Sequence, residues 1–323
     1  NSVITSDNKQ RVTIATLRMI TSGLGTVIIP MVTMKMVLKF SGGEVATAAG
    51  YTKTVMMISA ISMVLGIIGT LVSKERLEPP KKQTSNIPMK QQMAAAVKNP
   101  AILMLVICFI MFGFIAYGRN GVMLYYFTYY VGNIELYSMV GLCGLIGTFV
   151  GPALIGSLLL KFIPHKGRAA PLALGVVGLC YLGMGLILPT NPLWWVMTII
   201  ATIFQSAFST IAFAALPEAC DNGELISGFR VDGFLSSGIS FGLKFGSAVG
   251  PAIFLALFDA AGYVANAAQN DTVLALMNST VTFIPAALLF IVAVLLLLFY
   301  KISPSKHAEI IAELEARRAA EQE

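Results

Sequence analysis

Eight apolar stretches alternate with shorter polar segments along this chain, and each stretch is long enough to cross a membrane as a helix. A helix that spans the hydrocarbon core needs about 20 residues. The pattern therefore predicts an all-α polytopic membrane protein with eight transmembrane helices, at residues 14–38, 51–73, 100–130, 136–160, 169–189, 193–216, 233–258 and 275–300. Pro285 lies inside the last stretch, where a kink is tolerated if a neighbouring group satisfies the carbonyl that the proline frees.

The composition supports this interpretation. Hydrophobic residues make up 56% of the 323 residues and charged residues only 12%, whereas soluble domains carry about 25% charge. The four cysteines show no CxxC spacing and the two histidines lie in polar segments, so we predict no metal site in this chain and no cofactor. The net charge of +6 comes mostly from basic residues between the apolar stretches, which indicates membrane orientation and not nucleic-acid binding.

Basic residues are distributed unequally between the two sides of the predicted membrane. They fill the segment 74–98 and follow the fourth, sixth and eighth stretches. The sequences SGGEVATAAG, VGNIEL, PTNP and DAAGYVANAAQND, which lie in the alternate connections, contain no Lys or Arg. Because positive loops stay in the cytoplasm, we expect both termini to be cytoplasmic in a multi-pass protein of the bacterial cytoplasmic membrane.

The long polar segment divides the chain unequally, with two predicted helices before it and six after it. Six helices after a central loop are typical of one half of a transporter built from repeats. The two preceding helices would then end another six-helix half, with its first four helices missing here. The predicted parts are the end of the first half at 1–73, a central cytoplasmic loop at 74–99, the six-helix half at 100–301 and a cytoplasmic tail at 302–323.

Of the ionisable residues, Arg119 and Lys244 lie well inside predicted helices, and Arg18 lies just inside the first one. Lys244 lies roughly 16 Å along its helix, near the bilayer midplane. A charge at that depth costs at least about 2.5–3.5 kcal/mol, so we favour a functional lysine that faces protein or water over one that snorkels to the interface. Arg119 precedes a run of tyrosines that favours an interfacial aromatic belt, and two interpretations of Arg119 stay open, namely sugar binding and snorkelling.

A polar segment at 216–232 follows the sixth stretch and carries five charged residues. No HExxH, GxSxG or glycine-rich phosphate motif accompanies it, which disfavours an enzyme. We expect a gate in which carboxylates pair with cations of the other half, and the alternative is an ordinary solvated loop. The C-terminal HAEIIAELEARRAAEQE is expected to form a solvated helix.

The segments PEACDNGELISGFRVDG, SFGLKFGSAVG and DAAGYVANAAQ carry a resemblance. They are similar to the glycoside–pentoside–hexuronide:cation symporters of the major facilitator superfamily, the family of melibiose permease, and the whole chain resembles helices five to twelve of that family. The resemblance implies two six-helix halves, alternating access, and symport of a sugar with Na⁺, H⁺ or Li⁺. The alternatives from other classes are a membrane enzyme that acts on a lipid-linked substrate and a non-transporting sensor.

The resemblance also implies site residues. Lys244 matches a family lysine near sugar and coupling ion, Ser240 a sugar-facing position one turn earlier, and Arg18 approximately an arginine near the sugar. Arg119 completes the candidate sugar site, and the residues of the implied cytoplasmic gate are Arg11, Glu218, Asp221, Glu224, Arg230 and Asp232.

Two departures from the family pattern limit what the resemblance implies. Ser209 stands where melibiose permease has a tryptophan, which puts recognition of that sugar in doubt. The carboxylates that bind the cation lie on the family's second and fourth helices, so no cation site is expected in this chain. The expected partners are a small sugar, a coupling cation and membrane lipid, but no nucleic acid, and we expect a monomer.

Overall fold

The computed structural model describes residues 25, 32–33, 36–42, 47–72, 88–229 and 232–320. It divides into two units, Asn1–Asn86 and Ile87–Glu323. The first unit contains the long helix α1, Ala48–Val72. Arg11, Arg18 and Arg230 lie outside the described residues, and so does the side chain of Asp232.

The second unit is a helical bundle, and its packing builds the candidate site. A π-helical turn, Tyr126–Tyr130, extends the helix Pro100–Tyr125, and a second one, Gly151–Gly156, separates the helix Tyr137–Val150 from the helix Ser157–Phe162. The helices are α2 Met89–Lys98, α3 Pro100–Tyr125, α4 Tyr137–Val150, α5 Ser157–Phe162, α6 Lys166–Gly185, α7 Pro192–Ser227, α8 Asp232–Ala260, α9 Asp271–Val281, α10 Phe283–Phe299 and α11 Pro304–Ala320.

Seven of the eight predicted spans correspond to described helices. Among the residues that the structure describes, six helices are long and apolar enough to cross a membrane, and the pair Ile134–Val150 and Leu154–Phe162, which is bent by 44°, makes a seventh span if it is counted as one. The predicted span 14–38 lies mostly outside the described residues. The all-helical, membrane-spanning fold class is therefore confirmed.

Asparagine residues start three of these helices. The side chain of Asn99 accepts hydrogen bonds from the first turn of α3, and Asn191 does the same for α7, with a proline at the next position in both helices. Asn270 caps α9 by accepting from the Val273 N–H. An asparagine cap satisfies free N–H groups, and a following proline already has the helical φ, so Asn-Pro fixes a helix start locally.

Helix α7 continues well beyond the predicted end of the sixth span at residue 216. It runs 36 residues to Ser227 and ends where Gly228 adopts a left-handed φ of 78°. The acidic cluster up to Glu224 is thus part of a helix, and the alternative of a solvated loop is wrong for these residues. The helix persists because its carboxylates find partners in the bundle, as described below.

Helices α3 and α8 pack closely through glycines spaced four residues apart on α8. A Cβ atom on Gly246 would lie 2.5 Å from the Phe114 nitrogen, and one on Gly250 would lie 2.5 Å from the Phe114 carbonyl oxygen. Small residues at this spacing let two membrane helices approach each other. One face of α8 is therefore buried against α3, and the opposite face does not contact α3.

The C-terminal helix α11 packs against the end of α7. Its Ile310 and Leu314 are only 1% and 4% exposed. The predicted helix is present, but the expectation of a solvated helix is wrong for the face that carries Ile310 and Leu314. We call this end of the bundle the tail end, and the end that carries Tyr126–Tyr130 the tyrosine end.

Candidate substrate-binding face and tail-end network

Lys244 and Ser240 lie one turn apart on α8, and both are exposed. They occupy the face opposite the glycines that pack on α3. Lys244 lies in the middle third of the span Leu235–Ala260. A Cβ atom on Gly113, near the middle of the α3 span, would lie 2.9 Å from the Leu243 carbonyl oxygen. The structure therefore places Lys244 at mid-depth of the bundle, on a free surface.

The surroundings of Lys244 suit a polar ligand with apolar faces. Phe241 is 64% exposed and stacks on Phe245, with ring centroids 5.6 Å apart. Among the described residues, no carboxylate lies within salt-bridge distance of Lys244. This face of α8 thus presents an ammonium group, a hydroxyl group and two aromatic rings, which can bind sugar hydroxyls or carboxylates and stack on sugar rings.

Arg119 is placed differently, because it is buried inside the bundle and only 5% exposed. Its Nε donates a hydrogen bond to the Val281 carbonyl oxygen at 2.8 Å. Its guanidinium carbon lies 4.4 Å from the centre of the Tyr181 ring. The snorkelling interpretation of Arg119 is therefore wrong, because the guanidinium group points into the bundle. Its burial also separates Arg119 from the exposed face that carries Lys244.

Pro285 explains why Arg119 binds the Val281 carbonyl. A proline has no N–H, and its ring displaces the carbonyl four residues earlier, which here is Val281. The chain breaks between α9 and α10 at Thr282, where φ is −126° and ψ is −74°. Arg119 supplies the donor that the helix cannot, and this meets the condition under which a proline is tolerated in a membrane helix.

The aromatic run after Arg119 forms a packed cluster at the tyrosine end. Tyr126 and Phe127 are fully buried, although a belt would face the membrane interface. Phe127 packs edge-on against Trp194, with centroids 5.8 Å apart. The Tyr129 and Tyr263 hydroxyls are hydrogen-bonded at 3.1 Å. The interpretation as an interfacial belt is therefore wrong for the buried members of this run.

Glu218 is the centre of a polar network at the tail end, and it is only 8% exposed. Its Oε1 forms an ion pair with Lys166 at the start of α6. Its Oε2 accepts a hydrogen bond from the Tyr300 hydroxyl at 3.0 Å. Burial, followed by the charge of Glu218, raises the pKa of Tyr300 above its ordinary value, so the phenol remains a donor.

Helix α11 completes this network with His307. The His307 Nε2 lies 3.0 Å from Asp221 Oδ2, and its Nδ1 lies 4.0 Å from Glu218 Oε1. Further along α11, Arg317 donates to the Leu225 carbonyl oxygen at 3.2 Å. The tail helix thus covers two of the four predicted gate carboxylates, and another, Glu224, is half-buried one turn further along α7.

Sequence reasoning missed Lys166, Tyr300 and His307 as partners of the carboxylates. The spacing of Glu218 and Asp221 places them on one side of a helix, and this spacing is the signal in the sequence that they share a polar site. The partners of Glu218 lie 52 and 82 positions away from it in the sequence, so only the fold brings them together. Within the described ranges, no group of three or more His, Cys, Asp or Glu side chains is arranged to hold a metal ion.

Comparison with known proteins places the chain in a family. The profile of the family described as MFS/sugar transport protein matches residues 1–304. An isoprimeverose transporter of Lactiplantibacillus pentosus is 28% identical over 327 residues, which cover 98% of this chain and 66% of that protein. An uncharacterized symporter of Bacillus subtilis, YnaJ, is 28% identical over 98% of this chain and 68% of its own length.

A further relative is the inner membrane symporter YicJ of Escherichia coli, which is 22% identical over 99% of this chain and 69% of its own length. The chain thus spans about two thirds of the length of these curated relatives. The described helices agree with a multi-pass membrane protein. Because the family profile matches nearly the whole chain, the protein belongs to the MFS/sugar transport protein family, a family of membrane transporters and not of enzymes.

Proposed function

We propose that the protein takes part in secondary active transport, as a symporter that moves a sugar together with a cation by alternating access. The observation that carries this proposal is Lys244, an exposed cation at mid-depth of a membrane helix. A charge that has no carboxylate partner among the described residues is costly at this depth, so a role towards substrate or coupling ion accounts for its presence. The relatives named as an isoprimeverose transporter and as symporters support the same class of function.

In this proposal the sugar binds to the exposed face of α8. Lys244 and Ser240 donate hydrogen bonds to hydroxyl or carboxylate groups, and Phe241 packs against an apolar sugar face. Arg18 is a further predicted sugar contact, based on the family resemblance. We assign Arg119 to support of the bundle and not to the sugar, because its Nε is already bound to Val281.

The proposed sugar is a glycoside, pentoside or hexuronide, and the proposed coupling cation is Na⁺, H⁺ or Li⁺. We further propose that the protein works as a monomer in the cytoplasmic membrane of a bacterium, with both termini in the cytoplasm.

Cysteine substitutions would test the orientation. Residues 80–90 should react with impermeant reagents only from inside, and Asn266, between α8 and α9, only from outside.

The tail end serves as the cytoplasmic gate in this account. Glu218 is held by Lys166 and Tyr300 within its own unit, so we propose that it anchors the gate and does not open with it. Asp221 and Glu224 are the carboxylates proposed to change partners. Arg11, Arg230 and Asp232 stay predicted members of this gate.

Uptake by the complete protein in lipid vesicles tests the proposed function. Labelled sugars of the three classes are offered with and without an imposed Na⁺ or H⁺ gradient. Symport predicts that one sugar accumulates above its outside concentration and that an ionophore for the coupling cation abolishes this accumulation. A cysteine at Ser240 should also lose reactivity when that sugar is present.

Two results would contradict symport. Sugar that only equilibrates, whichever gradient is imposed, would indicate a uniporter. Sugar that protects the cysteine at Ser240 but never crosses the membrane would favour the sensor.

A further inference from the structure

Helices α6 and α10 form a long seam on the outside of the bundle. Glycines on α6 let the two helices approach closely along the whole seam. A Cβ atom on Gly178 would lie 2.9 Å from the ring of Phe290, and one on Gly185 would lie 2.5 Å from the ring of Phe283. At the tail end, a Cβ atom on Gly167 would lie 2.5 Å from the Tyr300 carbonyl oxygen.

An exposed cation stands on each side of this seam at the tail end. Arg168 directly follows Gly167, and Lys301 directly follows Tyr300, so the close approach of Gly167 to Tyr300 brings together the two backbone segments that carry these cations. Both side chains are exposed. In the part of the chain that the structure describes, neither cation pairs with a carboxylate, in contrast to Lys166, which is bound to Glu218.

Below each cation, the seam presents apolar side chains to the outside. Leu172, one turn from Arg168 on α6, is 43% exposed. Leu297, one turn before Lys301, is 53% exposed, and Leu298 beside it is 56% exposed. Two cations that have no carboxylate partner among the described residues, next to exposed leucines, match the layout of a phospholipid, with its phosphate at the interface and its acyl chains in the hydrocarbon.

We propose that the tail end of the α6–α10 seam binds the headgroup of an anionic phospholipid. Arg168 binds the phosphate through two parallel N–H donors, and Lys301 approaches the same phosphate from the other side of the seam. The acyl chains lie against Leu172, Leu297 and Leu298. This site is separate from the proposed sugar-binding face, because it uses α6 and α10 and not α8.

Native mass spectrometry of the complete protein in detergent, titrated with phosphatidylglycerol, tests the site. We expect Arg168→Gln/Lys301→Gln to weaken binding of the first phosphatidylglycerol about tenfold or more, since each basic residue near a membrane surface contributes about 1 kcal/mol. The matched control is Lys98→Gln/Lys161→Gln, which removes two exposed cations from other helix ends. This control should change the affinity less than twofold.

Three results would overturn the proposal. Equal losses in the site variant and the control would show only general attraction between a basic surface and an acidic lipid. Displacement of phosphatidylglycerol by millimolar inorganic phosphate would indicate a site for the free anion. Wild-type protein that binds phosphatidylglycerol no better than phosphatidylcholine would remove the site altogether.

A conservative variant separates binding from folding. Arg168→Lys/Lys301→Arg retains both charges, so it should retain most of the preference for phosphatidylglycerol at an unchanged melting temperature. If the glutamine variant fails to fold, this charge-retaining variant and the control still decide the question. Loss of the preference in a folded charge-retaining variant would contradict a site based on these two cations.

Discussion

Arg119 and Lys244 are two cations in the middle of adjacent membrane helices, and the structure treats them in opposite ways. Arg119 follows Gly118, which packs on α8, and Lys244 follows Leu243, which packs on α3. The guanidinium group of Arg119 is buried and bound to a carbonyl oxygen and an aromatic ring. The ammonium group of Lys244 is on an exposed face.

The difference teaches how to interpret a charge inside a membrane protein. Depth alone marks both residues as costly and therefore as candidates for function. The fold then separates them, because the break at Pro285 already uses a donor of Arg119. A buried cation whose Nε is bound to a backbone carbonyl supports the structure, whereas a cation on an exposed helix face is available to a ligand.

The largest effect on stability is expected for Arg119→Met. This change leaves the Val281 carbonyl without its donor, and a buried unsatisfied carbonyl costs about 1–3 kcal/mol. The melting temperature of the purified protein should fall for this reason. Arg119→Lys should not restore it fully, because a lysine lacks the planar group that stacks on Tyr181. An unchanged or raised melting temperature would contradict the structural role of Arg119.

A double-mutant cycle with Pro285→Ala sharpens this test. An alanine at position 285 supplies a backbone N–H that can bind the Val281 carbonyl, so the carbonyl no longer depends on Arg119. Arg119→Met should therefore destabilise the Pro285→Ala protein less than the wild type, with a coupling energy of about 0.5–3 kcal/mol. Additive effects of the two changes would show that Arg119 and Pro285 act independently.

Glu218→Gln tests the ion pair between Glu218 and Lys166. This pair is less buried than Arg119 and less exposed than Lys244. The side chain of Lys166 is 19% exposed and that of Glu218 is 10% exposed. Breaking a fully buried ion pair costs about 3–5 kcal/mol, and residual contact with water reduces this cost. We therefore expect Glu218→Gln to lower the free energy of unfolding by about 1–2 kcal/mol, measured by thermal unfolding. The matched control is Glu309→Gln, whose exposed partner is Lys306, and it should cost no more than about 0.5 kcal/mol. Equal effects would show that burial of the network adds nothing.

The smallest effect is expected for Tyr300→Phe, which removes the phenol that donates to Glu218. The loss should be about 0.5–1.5 kcal/mol at neutral pH. Because the folded protein raises the pKa of Tyr300, this stabilisation is complete below the unfolded value of about 10 and decreases as the pH rises above it. Unfolding experiments at rising alkaline pH should show the wild type losing its advantage over Tyr300→Phe. A constant difference would argue against a buried phenol.

The fold was largely predictable from the sequence, because membrane-length apolar stretches and Asn-Pro starts are local signals. The end of α7 was not, since the polar residues after position 216 resemble a loop until their partners are known. Lys166, Tyr300 and His307 reach Glu218 and Asp221 from distant parts of the chain. No local pattern predicts such contacts, although the charges themselves marked the region.

Prediction of the candidate site from sequence has the same limit, as Lys244 and Arg119 show. The sequence singled out Lys244 and Ser240, and their spacing of four residues correctly predicts that they share a face of one helix. The exposed state of that face depends on the glycines of α8 and their contacts with α3. The structural role of Arg119 depends on Pro285, which lies 166 positions further along the chain, so only the tertiary structure could reveal it.

Lys244→Met, assayed for both sugar accumulation and thermal stability, tests the central claim most directly. Methionine keeps much of the apolar stem and removes only the charge, so the melting temperature should stay at the wild-type value or rise. Accumulation should fall about tenfold to a hundredfold, because hydrogen bonds from a charged group contribute about 1.5–3 kcal/mol. Lys244→Arg should fail as well, since its planar fork has a different shape. Wild-type accumulation by Lys244→Met, or a melting temperature that falls as far as in Arg119→Met, would contradict the account.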